Sequence, residues 1–472
     1  MSEIFKITGI YTDLYQLTMG QVYYQDRRRD WTGYDYFFRK LPFGGGYVVF
    51  AGLIDVLEAL ADLQFTSDDL DFLRSQGFKS EFLNYLKDFR FRGTVYSVPE
   101  GDIVFPTRPV LRVEGNIIEA QIVETLVLNM LNFQSLIATK AARMRWVAGN
   151  RVLTDFGLRR AQGLGGYHAS RAAMVGGFDS TSNVKAAADF HVPAAGTMAH
   201  AFIQSFDDEL TAFRHFAEGM PVGCVLLVDT YNTIESGLPN AIRVAKEMEA
   251  SGHKLNGIRL DSGDLAYLSK RSRYMLDEAG LRYVKIAASN QLDEYVIKSL
   301  LDQQAPIDIF GVGTSLVTGQ PDAALDGVYK LCLADNKPRI KISETLKKTT
   351  LPDRKQVFRV LDQNGMFYGA DAIALNDEKR VDHMFDPFEP YKSLSLRGLK
   401  QEPLLDKVMG NGQILLEQKP LKEIAGYCHE RLAKLPDEYK RFQNPHNYKV
   451  GVSKTLMDLR DELKNKFEGE LI

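Results

Sequence analysis

A chain of 472 residues, 45% hydrophobic and 25% charged, has ordinary globular composition and enough apolar residues for two or three domains with a large core. A formal net charge of −3 excludes a nucleic-acid binder working through a global basic field and leaves only a local anion pocket. Three cysteines, Cys224, Cys332 and Cys428, are odd in number and far apart; they exclude a disulfide framework or zinc knuckle and fit a reducing cytosol.

The opening MSEIFKITGIYTDLYQ is too polar for a signal peptide, and no apolar run approaches the roughly 20 residues that span a bilayer, so a cytoplasmic protein is expected. Residues 10–24 have the spacing of a helix, with Tyr15 among polar neighbours. TGYDYFFRKLPFGGGYVVFAGL predicts a strand ending at Arg39 and Lys40, a glycine turn and a helix start. Those glycines lack the Gly-Lys-Ser/Thr of a phosphate loop and read as a flexible turn. Residues 93–114 alternate short β-prone runs with Pro and Gly, the pattern of a small antiparallel sheet. Residues 117–147 form one long apolar helical pattern, and a domain boundary is placed near Asn150.

Beyond it, short apolar runs alternate with amphipathic stretches: RVLTDFG, AAMVGGF, FHVPAAG, GCVLLVD, GIRLD, YVKIAAS and IDIFGVG each precede a helical segment. Such alternation predicts a parallel sheet with crossover helices, and the number of units favours an α/β barrel over an open sheet. The polar motifs DFGLRR, DSTSN, GTMAH, DTYNT, RLDSGD, SNQ and GVGTS all fall where a strand runs into its turn; in a barrel those turns surround one mouth, where active sites sit. Turns also favour Gly, Asp, Ser and Asn for backbone reasons alone. Phe156 beside Arg159 and Arg160 suits a small planar anion, since a ring stacks while a guanidinium pairs a carboxylate or phosphate; the plainer alternative is a core Phe and a solvated basic face. After residue 328 two hairpins follow, the second turning at Asn364-Gly365, and lysines at 341, 347, 348 and 355 either face phosphate or solvate the surface. The tail from about Leu421 reads as helices.

Together the blocks TDLYQLTMGQVYY, FFRKLPFGGGYVVFAGL, DFGLRRAQG, FDSTSN, GTMAH, LLVDTYNT, RLDSGDL and FGVGTSLVT, in this order over residues 11 to about 320, resemble the nicotinate phosphoribosyltransferases of the type II phosphoribosyltransferase family. The resemblance implies nicotinate mononucleotide and pyrophosphate made from nicotinate and phosphoribosyl pyrophosphate with Mg²⁺, coupled to ATP hydrolysis, in NAD salvage. It implies an irregular α/β barrel (151–330) with a split α+β N-terminal domain (1–150) and a C-terminal extension (331–472), in a homodimer with shared active sites. By the family's pattern Tyr15, lent by a neighbouring subunit, and Phe156 sandwich the pyridine, with Arg259 and Thr197 at the nicotinate. Arg39, Arg159 and Arg160 lie near the phosphoribosyl pyrophosphate anions, Asp261 against the ribose hydroxyls, and Gly311, Gly313 and Thr314, helped by Ser289 and Asn290, around the 5-phosphate.

His200 matches the histidine that the family phosphorylates, with Asp229 as the carboxylate that fixes its tautomer. Ser182 stands where similar nicotinamide enzymes carry Asp, which favours the acid over the amide. The chain departs from the family at Ala201-Phe202, where some relatives have Glu-Trp, and at Asn232, where many have Asp. Alternatives are a nicotinamide enzyme, opposed by Ser182; a quinolinate enzyme, opposed by the GTMAH histidine; and a silent barrel scaffold, opposed by His200, Arg259 and the GVGT glycines.

Overall fold

The computed structural model describes residues 7–343, 345 and 348–469; the opening residues 1–6 and Lys347 lie outside them. The chain is a mixed α/β fold that divides into two compact units, residues 1–136 with 324–472, and residues 137–323. A boundary at 330 falls inside the strand Gly327–Ala334, whose ladder to Trp31–Phe38 ties that end of the chain to the first unit.

In the first unit Trp31–Phe38 lies in a seven-stranded antiparallel sheet, paired to Leu111–Asn116 on one edge and Gly327–Ala334 on the other. Strand alternation sends Tyr34, Tyr36 and Phe38 into an apolar core with Phe82, Leu83 and Leu86 of the helix Ser80–Lys87, and Tyr34 stacks on Tyr329 at 4.9 Å. Asp35 points to the other face and pairs with the buried Lys355 at 2.8 Å. A six-stranded sheet built on the expected hairpin, Lys355–Leu361 against Phe367–Leu375, carries a buried ion network in which Arg359 and Arg431 both reach Asp102, at 2.9 and 2.8 Å. Burial alone would raise the Asp102 carboxyl, but those guanidiniums hold it below the ordinary carboxylate value. The tail is not helical throughout: Lys449–Ser453 is a strand of this sheet, running parallel to Phe367–Leu375.

In the second unit six parallel strands, β1 (Val152–Asp155), β2 (Ser180–Thr181), β3 (Val225–Leu227), β4 (Gly257–Leu260), β5 (Lys285–Ser289) and β6 (Ile309–Val312), pair in the order β2-β1-β6-β5-β4-β3. Two expected strands differ. AAMVGGF belongs mostly to the helix Leu164–Val175, and the strand is the shorter, polar Ser180–Thr181 beyond it. FHVPAAG forms no strand; it makes one isolated bridge, Thr181 to Ala194, since Pro193 has no N–H for a ladder. The long helix is two, Ile117–Ile122 and Glu124–Ala148. Helix starts consume part of the polar motifs: Asn183 caps on the Ala186 N–H and Asp264 on the Tyr267 N–H.

Candidate active site

The carboxyl ends of the six parallel strands place the polar turns of the second unit. At the end of β1 the buried Asp155 accepts from the Gly157 N–H at 2.8 Å, the Ser170 hydroxyl at 2.7 Å and the Thr181 hydroxyl at 2.8 Å. Burial pushes this carboxyl up, against the pull of the three hydrogen bonds. Its backbone carbonyl accepts from the Ser182 N–H at 2.8 Å, and the neighbouring Phe156 N–H donates to the Val312 carbonyl at 2.7 Å. Asp155 thus joins the turns that carry Phe156 and Ser182.

Phe156 decides why residue 311 is glycine. A Cβ there would stand 2.3 Å from Phe156 Cε2, so Gly311 makes room for the ring. Gly313 is different: the nearest atom to its Cβ would be the Phe156 carbonyl oxygen at 3.5 Å, ordinary contact, which leaves its backbone open. Gly311→Ala should force the ring aside and lower stability by about 1–3 kcal/mol, as overpacking does; an unchanged melting temperature would show that the ring shifts at no cost.

Arg259, near the end of β4, lies with its Cζ 5.9 Å from the Phe156 ring centroid. Nη1 donates to the Thr197 hydroxyl and, at 3.2 Å, to the Met198 carbonyl, while Nη2 stands 3.5 Å from Asp261 Oδ2. Its Nε is buried and has no hydrogen-bond partner among the described residues. The Ser289 hydroxyl donates to Asp261 Oδ1. Phe156, Thr197, Arg259, Asp261 and Ser289 therefore form one connected group: a ring face, a guanidinium anchored by one nitrogen, and a carboxylate at its edge.

His200 opens the short helix His200–Gln204, with Nδ1 3.0 Å from the Thr230 hydroxyl. Nε2 faces two carboxylates, Asp261 at 3.7 Å and Asp229 at 4.0 Å. Asp229 makes no hydrogen bond to the imidazole, since its nearer oxygen, Oδ1, stands 4.0 Å away; its Oδ2 accepts from the Asp261 N–H at 2.7 Å and the Ser262 hydroxyl at 2.6 Å. Its Oδ1 is buried with no hydrogen-bond partner among the described residues.

The remaining residues are more dispersed. Ser182 is half-buried; Arg159 and Arg160 are exposed on the turn Leu158–Arg160 and make no ion pair among the described residues. Asn290 is exposed with φ +85°, and Thr314 is exposed at the start of the short helix Thr314–Val317. Asn232 accepts from the Ile234 and Glu235 N–H groups at 3.1 and 3.0 Å, a cap that Asp would make equally well. Tyr15 and Arg39 belong to the first unit. Burial, then Glu124, push the phenol of Tyr15 up, though half of the side chain is exposed. Arg39 lies 5.7 Å from the Phe37 ring. No group of three or more His, Cys, Asp or Glu side chains among the described residues is placed to hold a metal ion.

Sequence reasoning passed over Asp155, Thr230 and Ser170. The available signal was their position in or beside motifs already singled out, Asp155 in DFG and Thr230 in DTYNT.

Three family models cover nearly the whole chain: the nicotinate phosphoribosyltransferase N-terminal domain over residues 10–132, the nicotinate phosphoribosyltransferase family over 152–367 and the C-terminal domain over 354–460. The chain is 43% identical to the nicotinate phosphoribosyltransferase of Bacillus subtilis, over 98% of this chain and 97% of that one. It is 37% identical to that of Dictyostelium discoideum, over 96% and 87%. Its fold superposes on the crystal structure of human nicotinic acid phosphoribosyltransferase with a TM-score of 0.86 at 31% identity, covering 96% of this chain and 99% of that one.

Proposed function

The chain belongs to the nicotinate phosphoribosyltransferase family, and on that premise we propose that it forms nicotinate mononucleotide and pyrophosphate from nicotinate and phosphoribosyl pyrophosphate, in NAD biosynthesis. The observation that carries the reading is the Arg259 guanidinium beside the face of Phe156, held by Thr197 and with Nε unspent. A planar aromatic acid is the molecule that uses both, stacking on the ring while its carboxylate takes the guanidinium.

The reaction needs no general base on the pyridine. The ring nitrogen's lone pair forms the bond to C1 of the ribose while the C1–O bond to pyrophosphate breaks, and that electron pair leaves with the pyrophosphate. Positive charge builds on the sugar, so the protein's work is to hold the nitrogen in line and to steady the departing anion. Asp261, tied to Ser289 and Arg259, is read as the residue that meets the ribose hydroxyls. Gly313 and Thr314, with Asn290, are read around the 5-phosphate, and Arg39, Arg159 and Arg160 near the phosphoribosyl pyrophosphate anions. Mg²⁺ is read as arriving with the pyrophosphate, part of the substrate.

ATP coupling is read through His200. The carboxylates of Asp261 and Asp229 favour a proton on the Nε2 they face, which leaves the lone pair on Nδ1 with Thr230 donating to it. That nitrogen would take the terminal phosphoryl group of ATP, releasing ADP, and water would later release phosphate from the imidazole. The parallel sheet is read as an irregular barrel. Tyr15, exposed beside Leu14 on its helix, is read as reaching the pyridine of a second copy in a homodimer.

Ser182 is read at the nicotinate carboxylate. Ser182→Asp would set a second anion there, and is expected to raise KM for nicotinate at least about tenfold, since like charges brought together cost several kcal/mol before screening. Unchanged nicotinate kinetics would remove Ser182 from the site. The function as a whole is tested by a mass assay with phosphoribosyl pyrophosphate and Mg²⁺, offering nicotinate, nicotinamide and quinolinate in parallel, with and without ATP. Mononucleotide from nicotinate, made faster with ATP, is expected; turnover of nicotinamide alone, or of no pyridine, would overturn the reading.

A further inference from the structure

The first unit contains a cavity of about 490 Å³ on the face of Trp31–Phe38 turned away from the aromatic core. Asp35 lines it with a side chain only 5% exposed. Oδ2 is taken by Lys355, but Oδ1 is buried and has no hydrogen-bond partner among the described residues. Lys355 has no donor to spare, because its ammonium also reaches the carbonyls of Leu351 and Pro352, at 3.0 and 3.1 Å, and that of Asp353. Lys330, opposite Asp35 in the strand register, lines the same cavity and makes no close ion pair among the described residues, its charge acting at longer range on the Glu124 carboxylate. Phe37, Phe388, Pro109 and Pro387 give the lining its apolar part, Thr107, Thr350 and Asn465 add polar groups, and cationic side chains on the lining outnumber anionic ones.

A buried carboxylate oxygen wants a donor, an unpaired lysine wants an anion, and apolar rings and prolines want a planar body; the volume is that of a small-molecule site. We propose that this cavity is a second ligand site, for a nucleoside monophosphate whose amino-bearing base donates to Asp35 while its phosphate meets Lys330. It is independent of the nicotinate reading, since none of its residues takes part there.

The test is calorimetric titration of the full-length protein with AMP, adenosine and purine riboside 5′-monophosphate, the last lacking the amine, in saturating nicotinate mononucleotide. One AMP per chain is expected, with both analogues at least about tenfold weaker, the loss of one charge-assisted contact each. Lys330→Ala should weaken AMP about tenfold and leave adenosine unchanged, whereas Arg259→Ala should leave AMP binding intact whatever the pyridine substrate. Asp35→Asn should erase the preference for the amine; because it strips the charge beside buried Lys355 and can unfold the protein, the half-exposed Lys330 carries the test. No saturable binding of millimolar AMP, binding unaltered by Lys330→Ala, or binding lost with Arg259→Ala would each overturn the proposal.

Discussion

Arg259→Ala should cut kcat/KM for nicotinate between about thirtyfold and a few thousandfold, the range that losing one buried charge partner of about 2–5 kcal/mol spans. The geometry sets this size. One guanidinium nitrogen is committed to Thr197 and Met198, which fixes the plane of the group, and the buried Nε has no hydrogen-bond partner among the described residues. A nicotinate carboxylate arriving at the guanidinium completes a charge-assisted contact. The loss should therefore appear in KM for nicotinate far more than in KM for phosphoribosyl pyrophosphate. Arg259→Lys should fall between the two, keeping the charge but losing the planar fork. Steady-state kinetics with each substrate varied in turn measure the split. An equal fall with both substrates, accompanied by a lower melting temperature, would make Arg259 a structural brace for Asp261 and Thr197 instead.

The parts of the site legible in sequence were those where an apolar run ends in a polar residue. RLD, VLTD and FGVGT announce β4, β1 and β6, because buried parallel strands must be continuous apolar runs whose ends alone are polar; Arg259 and Gly313 stood out with their runs, while nothing in VLTD marks Asp155 as the residue that joins two turns. The same rule misled at AAMVGGF. Its apolar stretch is the inward side of a helix, while the real strand, Ser180–Thr181, is two polar residues long. It is held by contacts that only the fold creates: the Thr154 and Ser180 hydroxyls meet at 2.9 Å, and Thr181 donates to Asp155. Gly311 was legible as a glycine that must be small, but not why. A phosphate cradle and a slot for an aromatic ring ask the same thing of a backbone, and only the position of Phe156 shows that the ring makes the demand here. Thr230 was invisible for a related reason, since its role depends on an imidazole thirty residues away in the chain.

His200→Gln is expected to leave ATP-independent synthesis of nicotinate mononucleotide largely in place and to abolish its stimulation by ATP, along with ATP hydrolysis. The ring's polar contacts among the described residues are Thr230, Asp261 and Asp229, the carboxylate side of the site. Removing it should leave the pyridine anchor untouched and take away the imidazole placed beside both of these carboxylates. Glutamine keeps a polar group of similar reach but offers no nitrogen lone pair able to accept a phosphoryl group. With γ-labelled ATP, the native protein should carry acid-labile label and the variant none, while the ratio of rates with and without ATP should fall to within about a factor of two of unity. Thr230→Val supplies the finer test. Without the hydroxyl, Nδ1 loses its hydrogen bond but keeps its lone pair, so phosphorylation should slow by about tenfold, the worth of one ordinary hydrogen bond, and not vanish. If Thr230→Val phosphorylates normally while changes at Asp229 or Asp261 do not, the carboxylates alone orient the ring. If label still accumulates in His200→Gln, the phosphoryl acceptor is another residue and the coupling does not run through this histidine.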